Sequence, residues 1–166
     1  MFVVLTLVLN AGEPGEPGEA VPSSAPRAEL PPLDVETPPV TADADRVCPG
    51  LMGGLPLLLG DAQARPVRSA TPYAAAWGDP PIVLRCGVAR PAALAQDSQY
   101  FGVGGVEWFT EPGDDATVWT SVDRAVYVEV SVPNSESGQL IAVVAAVVAD
   151  RVPVLSGPNA SPTPTR

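Results

Sequence analysis

The clearest pattern in the chain is an alternation of apolar and polar positions in its second half. In Ile82-Val83-Leu84-Arg85-Cys86-Gly87-Val88, Ile82, Leu84, Cys86 and Val88 share one side of an extended strand and Arg85 lies on the other. Residues 106–110 and 117–122 read as two more strands. Between them, Glu111-Pro112-Gly113-Asp114-Asp115 has Pro and Gly where a type II turn needs them, so the pair reads as a hairpin with a longer loop. Residues 125–132 alternate most cleanly, with Val126, Val128, Val130 and Val132 inward and Tyr127, Glu129 and Ser131 outward.

A helical period appears on either side of these strands. Cys48-Pro49-Gly50 reads as the opening of a helix, with Pro49 in the first turn. Leu51, Leu55, Leu58 and Leu59 then form one face, although Gly53-Gly54 and Pro56 weaken it. Residues 137–151 predict a second helix with a stripe of Leu140, Val143, Val144, Val147 and Val148. Arg151 suits its C-terminal dipole and Pro153 stops it. Residues 91–99 read as a short helical turn or loop, and Gly102-Val103-Gly104-Gly105 as a loop or strand entry.

The expected architecture is therefore α+β. It is a two-layer sandwich of four mostly antiparallel strands with two helices on one face, closed by one disulfide. If the first helix covers the Ile82–Val88 strand on its Cys86 side, Cys48 reaches Cys86. The opposite sheet face would carry Arg85, Tyr127 and Glu129, partly wet.

Around this globular unit, expected over residues 46–153, the pattern breaks down. Residues 11–45 hold repeated Glu-Pro-Gly and Pro-Pro steps and read as a disordered, acidic, Pro-rich linker. Residues 154–166 read as a disordered tail. Phe2-Val3-Val4-Leu5-Thr6-Leu7-Val8-Leu9 is apolar, but as a helix it would cover only about 12 Å of a bilayer core about 30 Å thick. No positive residue precedes it, so residues 1–10 read as the remnant of a signal peptide or membrane anchor. That reading predicts export, with the chain secreted or held at the membrane by its N-terminus.

Charge sharpens the division. The chain carries a net −10 and contains no His. Most of the excess acid lies before residue 46, where Glu13, Glu16, Glu19, Glu29, Asp34, Glu36, Asp43 and Asp45 face a single base, Arg27. Such a balance repels phosphate backbones, so no nucleic-acid partner is expected. The missing His removes the commonest general base and metal ligand.

The segments Cys48, Leu55-Pro56, Ala76-Trp77-Gly78-Asp79-Pro80-Pro81-Ile82-Val83-Leu84-Arg85-Cys86-Gly87-Val88, Val106-Glu107-Trp108 and Val128-Glu129-Val130-Ser131-Val132-Pro133 resemble an actinobacterial family of secreted or membrane-anchored proteins built on a domain of unknown function. The resemblance spans about residues 46–153. It implies an envelope location and two paired cysteines, without an activity.

The candidate chemistry is sparse. Cys48 and Cys86, a lone pair in a small exported domain, read as a structural disulfide rather than a metal site or reactive thiol. Arg85 reads as one half of an internal ion pair, with Asp79 or Glu129 as its partner, or else as an anion-binding group. Trp77 and Trp108 read first as packing residues, and Trp77 also as a contact residue for carbohydrate. Trp119, flanked by Val118 and Thr120, reads as a solvent-facing contact residue. Glu107, Glu111, Asp114 and Asp115 crowd one hairpin. Paired acids there would suit a glycan hydrolase, whereas acids beside Pro-Gly are ordinary turn residues. No catalytic set, cofactor or metal is expected. The leading expectation is a non-enzymatic envelope module contacting an envelope protein or cell-wall component; the alternative is an envelope glycan hydrolase.

Overall fold

The computed structural model describes residues 30–155. Their elements run β1 (Leu33–Asp34), α1 (Ala42–Gly54), β2 (Leu58–Leu59), β3 (Ala62–Arg65), β4 (Val67–Arg68), β5 (Ala74–Trp77), β6 (Ile82–Val88), β7 (Phe101–Val103), β8 (Val106–Pro112), β9 (Ala116–Ser121), β10 (Tyr127–Pro133) and α2 (Leu140–Arg151). Eight strands form one antiparallel sheet in the order β2-β3-β5-β6-β10-β9-β8-β7. β1 and β4 pair separately and in parallel.

This corrects the expected fold class. The protein is mostly β, and the four-stranded two-layer α+β sandwich is replaced by an eight-stranded sheet plus a two-stranded one. The unexpected strands β2, β3 and β5 are short and rich in Ala and Gly-flanked turns, so they carry little β propensity and too few alternations to register. They form because β6 offers a free edge: Ala75 pairs with Leu84 and Trp77 with Ile82. At the other end, β7 takes up Gly102-Val103, the stretch that reads as a loop or strand entry. Gly104 and Gly105 both take positive φ, which builds the tight turn between β7 and β8. A Cβ on Gly104 would come 2.8 Å from the Ala145 Cβ of α2, so the position also sets how closely that helix approaches.

The first helix starts upstream of its expected position. Thr41 caps it, its Oγ1 accepting from the Ala44 N–H at 3.1 Å, and Asp43 and Asp45 occupy the first turn. The buried stripe is Ala44, Val47, Cys48 and Leu51, one helical face. Pro49 sits inside the helix with its ring exposed to solvent. Leu55 ends the helix in an extended conformation ahead of Pro56, and Leu58 and Leu59 belong to β2 instead. In α2 the buried stripe is Ile141, Val144, Ala145 and Val148, rotated from the expected one, so that Val143 is 45% exposed.

Residues 33–45 lie within the region expected to be linker, yet 33–34 pair with β4 and 42–45 belong to α1. The ordered chain therefore begins before residue 46. The apolar run 1–10, most of the expected linker and nearly all of the expected tail lie outside the described residues.

One core holds the domain together. Leu84 and Cys86 of β6 face Val130 and Val128 of β10 in register, and these pack with α1 and α2 in a single buried cluster. Cys48 of α1 is bonded to Cys86 with the Cα atoms 5.8 Å apart. Gly87 beside it has φ +81°, and a Cβ there would come 2.7 Å from that of Ala44. That bare position lets α1 settle onto β6 where the disulfide forms.

Candidate functional site

Arg85 sits on the sheet face away from the Cys48–Cys86 bond, directly across from Glu129. The pair is bidentate: Nε donates to Oε1 at 3.0 Å, and Nη2 donates to Oε1 at 2.8 Å and Oε2 at 3.0 Å. Nη1 donates to Glu36 Oε2 at 2.7 Å. Burial pulls the guanidinium pKa down, but the hydrogen bonds and charges of Glu129 and Glu36 outweigh it and hold Arg85 above its ordinary value. Two carboxylates already occupy the fork, so Arg85 is a clamp within the fold.

What it clamps is the stretch ahead of α1. Leu33 N–H donates to Pro66 O, Val35 N–H to Arg68 O, and Thr37 Oγ1 meets Ser69 Oγ at 3.2 Å. Together with Glu36 on Arg85, these contacts hold residues 33–37 beside β4 and over the Arg85–Glu129 face of the central strands β6 and β10.

Asp79 is not part of this cluster. It is exposed in the turn between β5 and β6, where it lines a hollow of about 380 Å³ with Asp61 and Glu136. Among the described residues, no three acidic, His or Cys side chains are arranged to hold a metal ion.

Trp77 is 1% exposed, and its indole N–H donates to the Pro56 carbonyl at 2.9 Å. It is a core residue and lines the wall of a cavity, so it offers no stacking face to a sugar. Trp108 is also fully buried. Trp119 is half-buried at the margin of the core, on the same side of the sheet as Val130, its partner in β10. Phe101 of the terminal strand β7 meets it edge to face, with centroids 6.1 Å apart. Phe101 is 52% exposed and neighbouring Tyr100 44%. An aromatic corner thus stands where the sheet ends, with Trp119 as its inner wall.

The sequence reading missed two arginines and this corner's outer half. Arg124 is buried beside Asp123 and donates to the carbonyls of Gly105 and Val152, fastening the C-terminal end of α2 to the β7–β8 turn. Arg65, 7% exposed, donates to the carbonyls of Gly78 and Pro31. Neither stands in an alternating stretch that would mark it as inward-facing. Phe101 was legible only from Gly104-Gly105, since a two-glycine step between apolar residues is a hairpin signal.

The acids Glu107 and Glu111 lie on β8, and Asp114 and Asp115 in the turn to β9. The Asn134 side-chain amide donates to the carbonyls of Gly113 and Asp114, so this turn is braced against β10. None of the four acids lines the cavities of 300 Å³ and above.

These features define a mostly-β, disulfide-closed domain in which Arg85 and Arg124 brace the scaffold and exposed aromatics gather at one sheet edge. The chain belongs to the family described as "Protein of unknown function (DUF3515)", whose model matches residues 3–155. No curated protein and no solved structure gives a match. The Cys48–Cys86 bond suits an oxidising, extracytoplasmic compartment, and no helix among the described residues is long and apolar enough to cross a membrane.

Proposed function

We propose that the protein is an exported, non-enzymatic envelope module that works by presenting a contact surface to an envelope protein or cell-wall component. The observation that carries this reading is the aromatic corner at the sheet's end, where Phe101 of the terminal strand β7, with Tyr100 just before it, meets Trp119 of β9. A sheet edge leaves backbone N–H and C=O groups unpaired, and native proteins usually blunt such an edge with charge or Pro. Here the edge carries aromatic rings, which favour partner contact.

The disulfide supports export, and the N-terminal apolar run supports a signal or anchor. The hairpin acids on which the hydrolase alternative rests line neither the 500 Å³ nor the 380 Å³ cavity. The experiment is site-specific photo-crosslinking from position 101 in cells that make the native chain. The expected result is a discrete adduct with an envelope protein or wall fragment, lost in Trp119→Ala. Adducts confined to cytosolic proteins, or none beyond those seen from an exposed control at position 143, would refute it.

A further inference from the structure

A cavity of about 500 Å³ is lined by residues of β3, β4 and β5 and by the end of α1. Its walls include Met52, Leu55, Leu57, Val67 and Trp77, and among the described residues Arg65 contributes the only ionisable side chain. Leu57 also belongs to a hollow beside the cavity, and Leu57 and Leu58 there are 65% and 56% exposed.

Arg65 is unusual among the arginines. Arg46, Arg68, Arg85, Arg124 and Arg151 each meet a carboxylate within 4 Å. Arg65 is more than nine-tenths buried, meets no carboxylate among the described residues, and rests on two neutral backbone carbonyls. Its Nε has no acceptor. A buried guanidinium without a counter-charge is costly, and an anion at the cavity would relieve that cost. The volume suits a small ligand rather than a water cluster, and the apolar walls suit a hydrocarbon body.

We propose that this cavity binds an amphiphilic anion, with its carboxylate or phosphate head at Arg65 and its apolar chain against Met52, Leu55 and Leu57. The site lies apart from the aromatic corner, and its test does not depend on the crosslinking from position 101. Glu29, two residues before the Pro31 carbonyl that Arg65 holds, lies outside the described residues and is the competing source of an anion.

The test uses the full, disulfide-bonded chain and four probes: decanoate, decyl phosphate, decanol and inorganic phosphate. Binding is followed by calorimetry and by amide shifts of residues 52–57. Decanoate or decyl phosphate is expected to bind saturably and at least about tenfold more tightly than decanol, with the better of the two naming the head group. Arg65→Gln should bring the anions down to the decanol level, and Met52→Trp, which sets an indole in the path of the apolar chain, should abolish binding of all three chains. If Arg65→Gln does not fold, Met52→Trp alone decides whether the cavity is the site. Anions no better than decanol, or binding that survives Met52→Trp, would overturn the proposal. So would a wild-type chain that binds nothing while Glu29→Ala binds decanoate, because the site would then be filled by the chain itself.

Discussion

The two halves of the eight-stranded sheet are held together in different ways. From β10 to β7 the chain makes a plain meander of mostly long strands joined by tight turns. Its register follows from alternation, as in Val128, Val130 and Val132, and α2 closes it without a covalent link. From β2 to β5 the strands of the sheet run only two to four residues, β3 and β5 are Ala-rich, and Pro66 and Gly78 punctuate the chain before the longer β6. Here the fold relies on the Cys48–Cys86 bond and on Arg85 clamped by Glu129 and Glu36. The difference teaches that weak local patterning is offset by long-range links. Those links lie in the half that also holds the cavity.

The largest effect should come from cutting the covalent link. The bond spans 38 positions, and the chain-entropy model assigns such a loop about 3.5–4 kcal/mol. Cys48→Ala with Cys86→Ala should lower the unfolding free energy by that order in denaturant titration. Hydrogen exchange should rise in α1, β5 and β6 before it rises in β8 and β9. Uniform loss across both halves would show that they do not differ as described.

In the meander, Gly104→Ala should cost about 1–2 kcal/mol from the positive φ, and more from the approach to Ala145, read by the same titration. Glu129→Gln should cost about 1–2 kcal/mol, because it discharges a half-buried bidentate partner of Arg85. Glu36→Gln should cost no more than about 0.5 kcal/mol, since Glu36 is 84% exposed. Equal costs for the two glutamates would contradict the geometry of the clamp.

The smallest effect concerns pH. The Tyr73 hydroxyl donates to Asp45 Oδ1 at 2.7 Å, tying β5's approach to α1. That hydrogen bond, then burial, then the Asp45 charge raise the Tyr73 pKa above its ordinary 10.0. The neutral phenol is thus favoured in the folded state, so its contribution is fully present below pH 10 and is lost as pH rises through the higher folded value. Alkaline titration of stability should show this loss in the wild type and not in Tyr73→Phe.

The same contrast explains how much the sequence showed. β6, β8, β9, β10 and α2 were legible within a few residues, because runs such as Tyr127-Val128-Glu129-Val130-Ser131-Val132 report their own period. β2, β3 and β5 were not, since Ala64 and Ala76 become buried only through pairing with distant strands. The start of α1 was obscured by Pro-rich composition and by Pro49, although Thr41 followed by Asp43 and Asp45 is a start signal. For the site, the Arg85–Glu129 pairing was among the alternatives weighed, whereas Arg65 emerged only from tertiary placement.

As proposed above, this domain works outside the cytoplasm with its weaker half locked by the disulfide. The most direct measurement is acid-quenched alkylation of the native protein in the cells that make it, followed by mass spectrometry of the Cys48 and Cys86 peptides. The account predicts a linked Cys48–Cys86 peptide in the extracytoplasmic fraction. Two alkylated, reduced thiols on a cytosolic chain would contradict it.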